Sequence, residues 1–376
     1  MNSPFYTVSE IAEICHGELH SLNPAIQEIR DLLIDSRRLV HPEYCLFIAL
    51  VSDRNNGHKY IEELYKKGVR NFMVSEFTWV EEMHIEDRTS ADQPGGLIKS
   101  IIHSSMDSLV NHFSGASFIH VPDTLNALQQ LGAFHRRQFN IPVIGITGSN
   151  GKTTVKEWLF QLLNSDYRII RSPKSYNSQI GVPLSVWKMA SVHELAIFEA
   201  GISQPGEMVH LEPVISPTIG IFTNTGHAHD EHFESQRQKV EEKLKLFSHA
   251  ETLIYCLDYP LIGECLKADT VYKNLKTFTW SRNSGRGGDL QIITIEKNNG
   301  KTRICASFKS ENIEIAIPFA DEASIENAIH CLAAELVLIS TSIVNRQLSI
   351  VSRPVLPLWP PLPCGSNSGR PSTTAR

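Results

Sequence analysis

Residues 142–154 read PVIGITGSNGKTT, a run of residue types spaced to hold phosphate. An apolar, β-branched stretch (Val143, Ile144, Ile146) stops at a loop of small residues, Thr147, Gly148, Ser149, Asn150 and Gly151, and Lys152-Thr153-Thr154 then opens a helix-like pattern. A strand, loop and helix start of this kind aims backbone N–H groups and the positive end of a helix at an anion, lets Lys152 reach terminal phosphates and offers the Thr153 hydroxyl to Mg²⁺. The strict nucleotide-loop pattern wants glycine five residues before Gly151, but Ile146 stands there, which argues against ordinary GTPases and kinases. Further along, Glu199 ends the strand-like LAIFE, about where a nucleotide-bound Mg²⁺ needs an oxygen ligand. TNTGHAHDEHF places Asn224, His227, His229 and His232 after the next strand, with His229 a candidate metal ligand.

These groups need a scaffold, and the alternation of short apolar runs with helix-length segments supplies one. Strands are expected at 143–146, 167–170, 195–198, 218–222 and 252–255, with helices between them, which predicts an α/β fold built on a mostly parallel sheet covered on both faces. Three later strands, 290–295, 302–308 and 313–318, have no helices between them and predict an antiparallel edge before a helix at 323–338. Upstream, a helix capped by Ser9 or Thr7, a strand at 46–50, a helix at 61–68 and a strand at 71–76 predict a small α/β module. The expected division is a first module over 1–76, an insertion or linker over 77–115, a central nucleotide-binding domain over 116–340 and a disordered tail over 341–376. That tail has six prolines and no acidic residue, more like out-of-frame translation than a linker.

With 376 residues the chain has room for two or three domains, and 41% hydrophobic with 20% charged residues is an ordinary globular balance. A net charge of −6 gives no reason to expect nucleic acid. Seven cysteines without a CxxC pair suggest a reducing cytoplasm, the N-terminus lacks the features of a secretion signal, and no membrane-length apolar run is expected. The HAHDEH run has a rival reading as the HxHxDH zinc motif of metallo-β-lactamase-type hydrolases, although Glu231 stands where that motif wants aspartate. In SQRQKVEEKLKLF the apolar stripe is Val240, Leu244 and Phe247, which leaves Lys239, Lys243 and Lys245 solvated by default.

Taken together, the segments resemble the Mur ligases over roughly residues 5–340, interrupted by 77–115. TGSNGKTT is similar to that family's nucleotide loop, YNSQIGVPLS to its asparagine-containing loop, EAGISQPGEM to its Mg²⁺ carboxylate segment, and TNTGHAHDEHF with EEKLKLF to its histidine and modified-lysine segments. DSRRLVHPEYCLFIAL with RNNGHKYI resembles the family's uridine-nucleotide-binding domain. The resemblance implies that residues 147–154 cradle ATP with Asn327 near the adenine. It puts Thr153 and Glu199 on one Mg²⁺, with His229 on a second beside a carbamylated Lys243. Ser36 and Arg37 would meet the uridine nucleotide, and Asn177 the substrate, while Ser178 departs from a pattern that usually has two asparagines. Lys152, Lys243 and His229 are the implied catalytic group.

The implied reaction is ATP-dependent amide synthesis through an acyl phosphate, and the wording GISQPGEM favours the member that adds D-alanyl-D-alanine to UDP-N-acetylmuramoyl-tripeptide; a monomer in the bacterial cytoplasm is expected. Alternatives are another Mur-type ligase, such as a tripeptide synthetase or a folylpolyglutamate synthase-like enzyme, and a non-catalytic nucleotide-binding remnant. Members of the family carry a third, C-terminal domain with no counterpart in this sequence, so a truncated ligase of impaired activity is expected.

Overall fold

Thr7 starts the first helix of the chain. Its hydroxyl accepts the Glu10 N–H at 3.2 Å while the Glu10 carboxylate accepts the Thr7 N–H at 2.7 Å, a closed capping box for α1 (Val8–Ile14). The computed structural model describes residues 5–21, 28–52, 55–75, 106–226 and 232–340. The expectations for the tail and for most of the 77–115 segment therefore lie outside the described residues.

The first sheet has five strands, β1 (Glu18–Ser21), β2 (Asp31–Leu33), β3 (Cys45–Ile48), β4 (Asn71–Val74) and β5 (Ser117–His120), in the order β1-β5-β4-β3-β2. All neighbours run parallel except β1, which is antiparallel to β5. On one face Phe47, Phe72 and Phe118 pack with Leu64 of α2 (Ile61–Lys66) and with Leu109 and Val110 of α3 (Met106–His112). Gly68, at φ +98°, turns the chain out of α2 with a backbone that suits glycine. Here the structure differs from the expected division at 116. Strand β5 pairs with β4 inside the first sheet, and Phe113 is buried in its core, so the module continues to His120. The physical reason is that a parallel β4-β5 pair needs a crossover, and the segment that reads as a linker ends in one.

The second sheet has nine strands. In chain order they are β6 (Val143–Thr147), β7 (Ile169–Arg171), β8 (Leu195–Glu199), β9 (Ile219–Phe222), β10 (Thr252–Cys256), β11 (Lys276–Ser281), β12 (Leu290–Asn298), β13 (Lys301–Phe308) and β14 (Glu311–Ile317). Their spatial order is β7-β8-β6-β9-β10-β11-β12-β13-β14. The pairs from β7 to β12 are parallel, and only β12-β13 and β13-β14 are antiparallel, as the helix-free run of strands predicts. One face is covered by α5 (Lys152–Leu163) and α10 (Glu322–Ser340), through Val155, Leu159, Ile325 and Ile329. The other is covered by α7 (Met208–Ile215), α8 (Gln236–Leu244) and α9 (Pro260–Ala268), through Leu211, Leu244 and Ile262. Helix α10, 19 residues, is long and apolar enough to cross a membrane by length and composition, which the sequence reading did not anticipate. It lies mostly buried against the sheet, as a core helix does.

The two modules are joined by a shared apolar cluster in which Tyr6, Ile11 and Ile119 meet Leu128 and Leu131 of α4 (Thr124–Arg136) and Trp187. Within it, His135 Nε2 donates to the Met189 carbonyl at 3.1 Å, which leaves Nδ1 to accept the Tyr6 hydroxyl at 2.9 Å. His330 of α10 is held in the same way: Nε2 donates to the Thr223 carbonyl at 2.9 Å and Nδ1 accepts the Trp280 indole N–H at 3.4 Å. Both rings are neutral and buried, and burial pushes each pKa down to about 4.

Each ring therefore binds its proton less readily folded than unfolded. The stability this represents is complete above an ordinary histidine pKa near 6.5 and is lost as pH falls toward 4, up to about 3 kcal/mol per ring. Urea denaturation between about pH 7.5 and about pH 5 should show a falling midpoint. In His135→Asn the pH slope should be shallower than in the wild type, whatever the variant's absolute stability.

Candidate active site

The phosphate-type loop emerges where β6 ends, and neighbouring backbone fixes its shape. Gly148 has φ +138°, and a Cβ there would lie 2.0 Å from Thr223 Oγ1. Gly151, at φ +82°, forms the N-cap of α5, and a Cβ there would meet Asn327 Oδ1 at 2.3 Å. The TNTG segment after β9 grips the loop from the side. Asn224 O accepts Ser149 N–H at 3.0 Å, Asn224 Oδ1 accepts Asn150 N–H at 3.0 Å, and the Thr223 hydroxyl donates to Asn150 O at 2.6 Å. The Thr147 hydroxyl donates to Ala200 O at 2.9 Å, and the Ser149 hydroxyl to Gly226 O at 2.7 Å. Lys152 curls over the loop and donates to Gly148 O at 2.8 Å and Ser149 O at 3.2 Å. Burial lowers the pKa of this ammonium, opposed by the charge of Glu199 and reinforced by Lys239.

Strand register puts Glu199 beside Ile146, so the carboxylate projects from the same sheet edge as the loop. It is fully buried. The Thr153 hydroxyl donates to Glu199 Oε2 at 2.7 Å, and the Lys156 ammonium lies 3.1 Å from Oε1. One hydroxyl and one carboxylate oxygen, next to a loop shaped for phosphate, is the sparse oxygen set that Mg²⁺ takes when phosphates and waters complete its shell. The donor chemistry therefore fits that ion. Among the described residues no group of three or more His, Cys, Asp or Glu is arranged for a metal, and His229, with His227, lies outside them.

A cavity of about 300 Å³ opens beside the loop, lined by Gly148, Lys152, Asn177, Gly201, Glu207 and Lys243. The YNSQ and EAGIS segments are zipped together there, with Asn177 O accepting the Gly201 N–H at 2.8 Å. Ser178, the residue that departs from the two-asparagine pattern, has a local role: its hydroxyl accepts the N–H of Gly181, the first residue of α6 (Gly181–Val186), at 3.2 Å. Lys243 is only 4% exposed, with Nζ 3.3 Å from Ser149 Oγ. Lys239 is buried as well and donates to Gly226 O at 2.9 Å. The default of three solvated lysines is thus corrected for Lys239 and Lys243, because α8 packs this flank against the loop, while Lys245, just past the end of α8, is half-exposed and paired with Glu242.

The structure brings residues 147–154, Asn177, Glu199, Lys243 and Asn327 to one sheet edge. Ser36 and Arg37 are elsewhere. Arg37 is exposed and bonded to Asp35 at 2.8 Å by both Nε and Nη2, on a short 3-10 turn of the first module. A larger cavity of about 500 Å³ lies next to that turn, between the modules, lined by Asp35, Arg38, His41, Arg171, Tyr176 and Trp187. Its lining includes Arg38 and leaves out Arg37. Arg38 donates to the Tyr176 hydroxyl and sits over that ring, 5.9 Å from its centroid. Sequence reasoning also missed Lys156, although its position three residues after Thr153 puts both on one helix face.

Comparison with known families matches residues 146–335 to the Mur ligase middle domain. The chain is 29% identical over 333 residues to UDP-N-acetylmuramoyl-tripeptide--D-alanyl-D-alanine ligase of Bacillus subtilis, covering 87% of this chain and 63% of that protein. The protein of the same name from Treponema pallidum is 34% identical over 215 residues, 57% of this chain and 41% of the relative. A crystal structure of MurF from Acinetobacter baumannii superposes with a TM-score of 0.72 at 23% identity, covering 90% of this chain and 66% of the other. MurF ligase from Thermotoga maritima in complex with ADP gives a TM-score of 0.65 at 20% identity, over 86% of this chain and 66% of that one. The chain thus spans less than two thirds of the length of these relatives. Its nucleotide-type loop, the strand order behind it and the match over residues 146–335 agree: the chain belongs to the Mur ligase family.

Proposed function

We propose that this chain carries the uridine-nucleotide and ATP sites of a ligase that joins D-alanyl-D-alanine to UDP-N-acetylmuramoyl-tripeptide. The observation that carries this reading is the convergence on one sheet edge of Lys152, Asn177 and Lys243, which line the 300 Å³ cavity, with the hydrogen-bonded pair Thr153 and Glu199. A carboxylate does not condense with an amine at neutral pH, since both are ionised and the carboxylate has no leaving group. In the proposed reaction an oxygen of the tripeptide carboxylate attacks the γ-phosphorus of ATP and ADP leaves. The dipeptide amine then attacks the acyl carbon, inorganic phosphate departs, and the amine gives up a proton.

The residues' tasks in that sequence are positioning and charge balance. The glycines of the loop let N–H groups close on the β- and γ-phosphates, and Lys152 would exchange its loop carbonyls for phosphate oxygens. Asn327, packed against Gly151, would meet the adenine side of the nucleotide. Thr153 and Glu199 would hold a Mg²⁺, with His229 and a carbamylated Lys243 serving a second, and these ions supply positive charge to the migrating phosphoryl group. Lys243 favours modification because an ammonium is repelled by divalent cations whereas a carbamate is attracted. The cavity between the modules is the candidate uridine-nucleotide site, lined by Arg38 of the turn that also carries Ser36 and Arg37. We read the protein as a monomer without nucleic-acid partners, working in the bacterial cytoplasm.

ADP release in the presence of UDP-muramoyl-tripeptide is expected to depend on D-alanyl-D-alanine. Stimulation by a different acceptor amine would reassign the ligase within its family. Lys152→Ala should lower that rate by about 10²–10³-fold, the usual loss of a charge-stabilising group.

Gly151→Ala should weaken ADP binding about tenfold or more, since a non-glycine residue in the left-handed region costs about 1–2 kcal/mol before the Asn327 clash is counted. Titration calorimetry measures this directly.

For Lys243, NMR of protein equilibrated with ¹³C-bicarbonate is expected to give a carbamate signal that disappears in Lys243→Arg. A spectrum without that signal would return Lys243 to the ammonium form.

A further inference from the structure

Lys156 is fully buried, one turn beyond Thr153 on α5, and the phosphate-loop motif does not include it. Its ammonium lies 3.1 Å from Glu199 Oε1, while Thr153 bonds the other oxygen, Oε2, at 2.7 Å. The same ammonium donates to the carbonyl of Lys174, a non-glycine residue with φ +49° in the loop that carries Tyr176 and Asn177. Glu157 Oε1, 3.4 Å away, is the other acid near it, and that carboxylate is shared with Arg171 at 3.0 Å. A carboxylate without solvent contact is stabilised by a positive partner, and Lys156 is in ion-pair contact with Glu199.

We propose that Lys156 is a positioning residue, a built-in counter-ion that keeps Glu199 charge-balanced before a metal arrives and ties it to the Asn177 loop. The inference rests on the Mg²⁺-nucleotide reading of the site. It has a consequence for the order of binding. A divalent cation that reaches Glu199 Oε2 and Thr153 comes close to an ammonium that repels it, so the site holds Mg²⁺ poorly by itself. Nucleotide phosphates entering with the metal offset that repulsion, which couples metal binding to nucleotide binding. The contact with Lys174 O adds a mechanical link, because any shift of the ammonium is felt by the loop that lines the cavity.

The test is ADP binding to the full chain by calorimetry across a Mg²⁺ series, with thermal melts in EDTA and in Mg²⁺-ADP. It compares the wild type with Lys156→Met and with Lys156→Gln, which keeps polar contacts and loses the charge. Both variants are expected to melt below the wild type in EDTA and to gain more from Mg²⁺-ADP than it does. The Mg²⁺ concentration that half-supports ADP binding should fall about tenfold. A purely structural lysine would lower the melting point and leave the Mg²⁺ requirement unchanged. That result, or a raised requirement, overturns the counter-ion role while leaving the nucleotide reading intact. If the wild type shows no Mg²⁺-dependent ADP binding, the nucleotide reading fails and the inference falls with it.

Discussion

A carboxylate cut off from water must be neutralised where it stands, and much of this molecule is arranged around that demand at Glu199. The residue ends a parallel strand paired on both sides, so its backbone cannot move without disturbing the sheet. Its two oxygens are divided between a hydroxyl and an ammonium that come from one face of α5. Because α5 begins at Gly151, the length of the phosphate loop and the position of the carboxylate are linked through helix geometry. Removing either partner from a buried pair generally costs more than the pair contributes, which makes the arrangement rigid whatever its net energy.

The loop follows from the same logic. A chain with a net charge of −6 has no broad field to attract phosphate, so anion binding has to come from local groups. Those groups are backbone N–H donors held by glycines in left-handed geometry, and the TNTG segment and Asn327 hold the loop in that shape. Buried lysines complete the site. Lys152, Lys239 and Lys243 approach the loop from two helices, and each is satisfied within the protein by a carbonyl or a hydroxyl.

Contacts between the modules matter because the larger cavity lies between them. Trp187 is wedged into the shared apolar cluster, and its indole N–H donates to Arg30 O at 2.9 Å. Lys188 pairs with Asp31 at 2.5 Å, and Arg38 reaches across to Tyr176. Tyr176 directly precedes Asn177, so one short loop touches the first module, the cavity between the modules and the cleft beside the phosphate loop.

The sequence by itself determined the phosphate loop, the parallel sheet behind it and the antiparallel strands at its edge. Each of these depends on local pattern: small residues at a strand end, apolar runs of strand length, helices bounded by caps such as Asp123. Glu199 was legible for a related reason, since residues just past parallel strands gather at one edge, whereas Asn177 was named only through the family resemblance. Tertiary structure alone decided the rest. That β5 belongs to the first sheet, that Arg38 and not Arg37 lines the large cavity, that Lys239 and Lys243 are buried and that Lys156 faces Glu199 all depend on contacts between segments far apart in the chain. A lysine on an amphipathic helix has the same local signature whether it meets water or a buried carboxylate, and only packing tells the two apart.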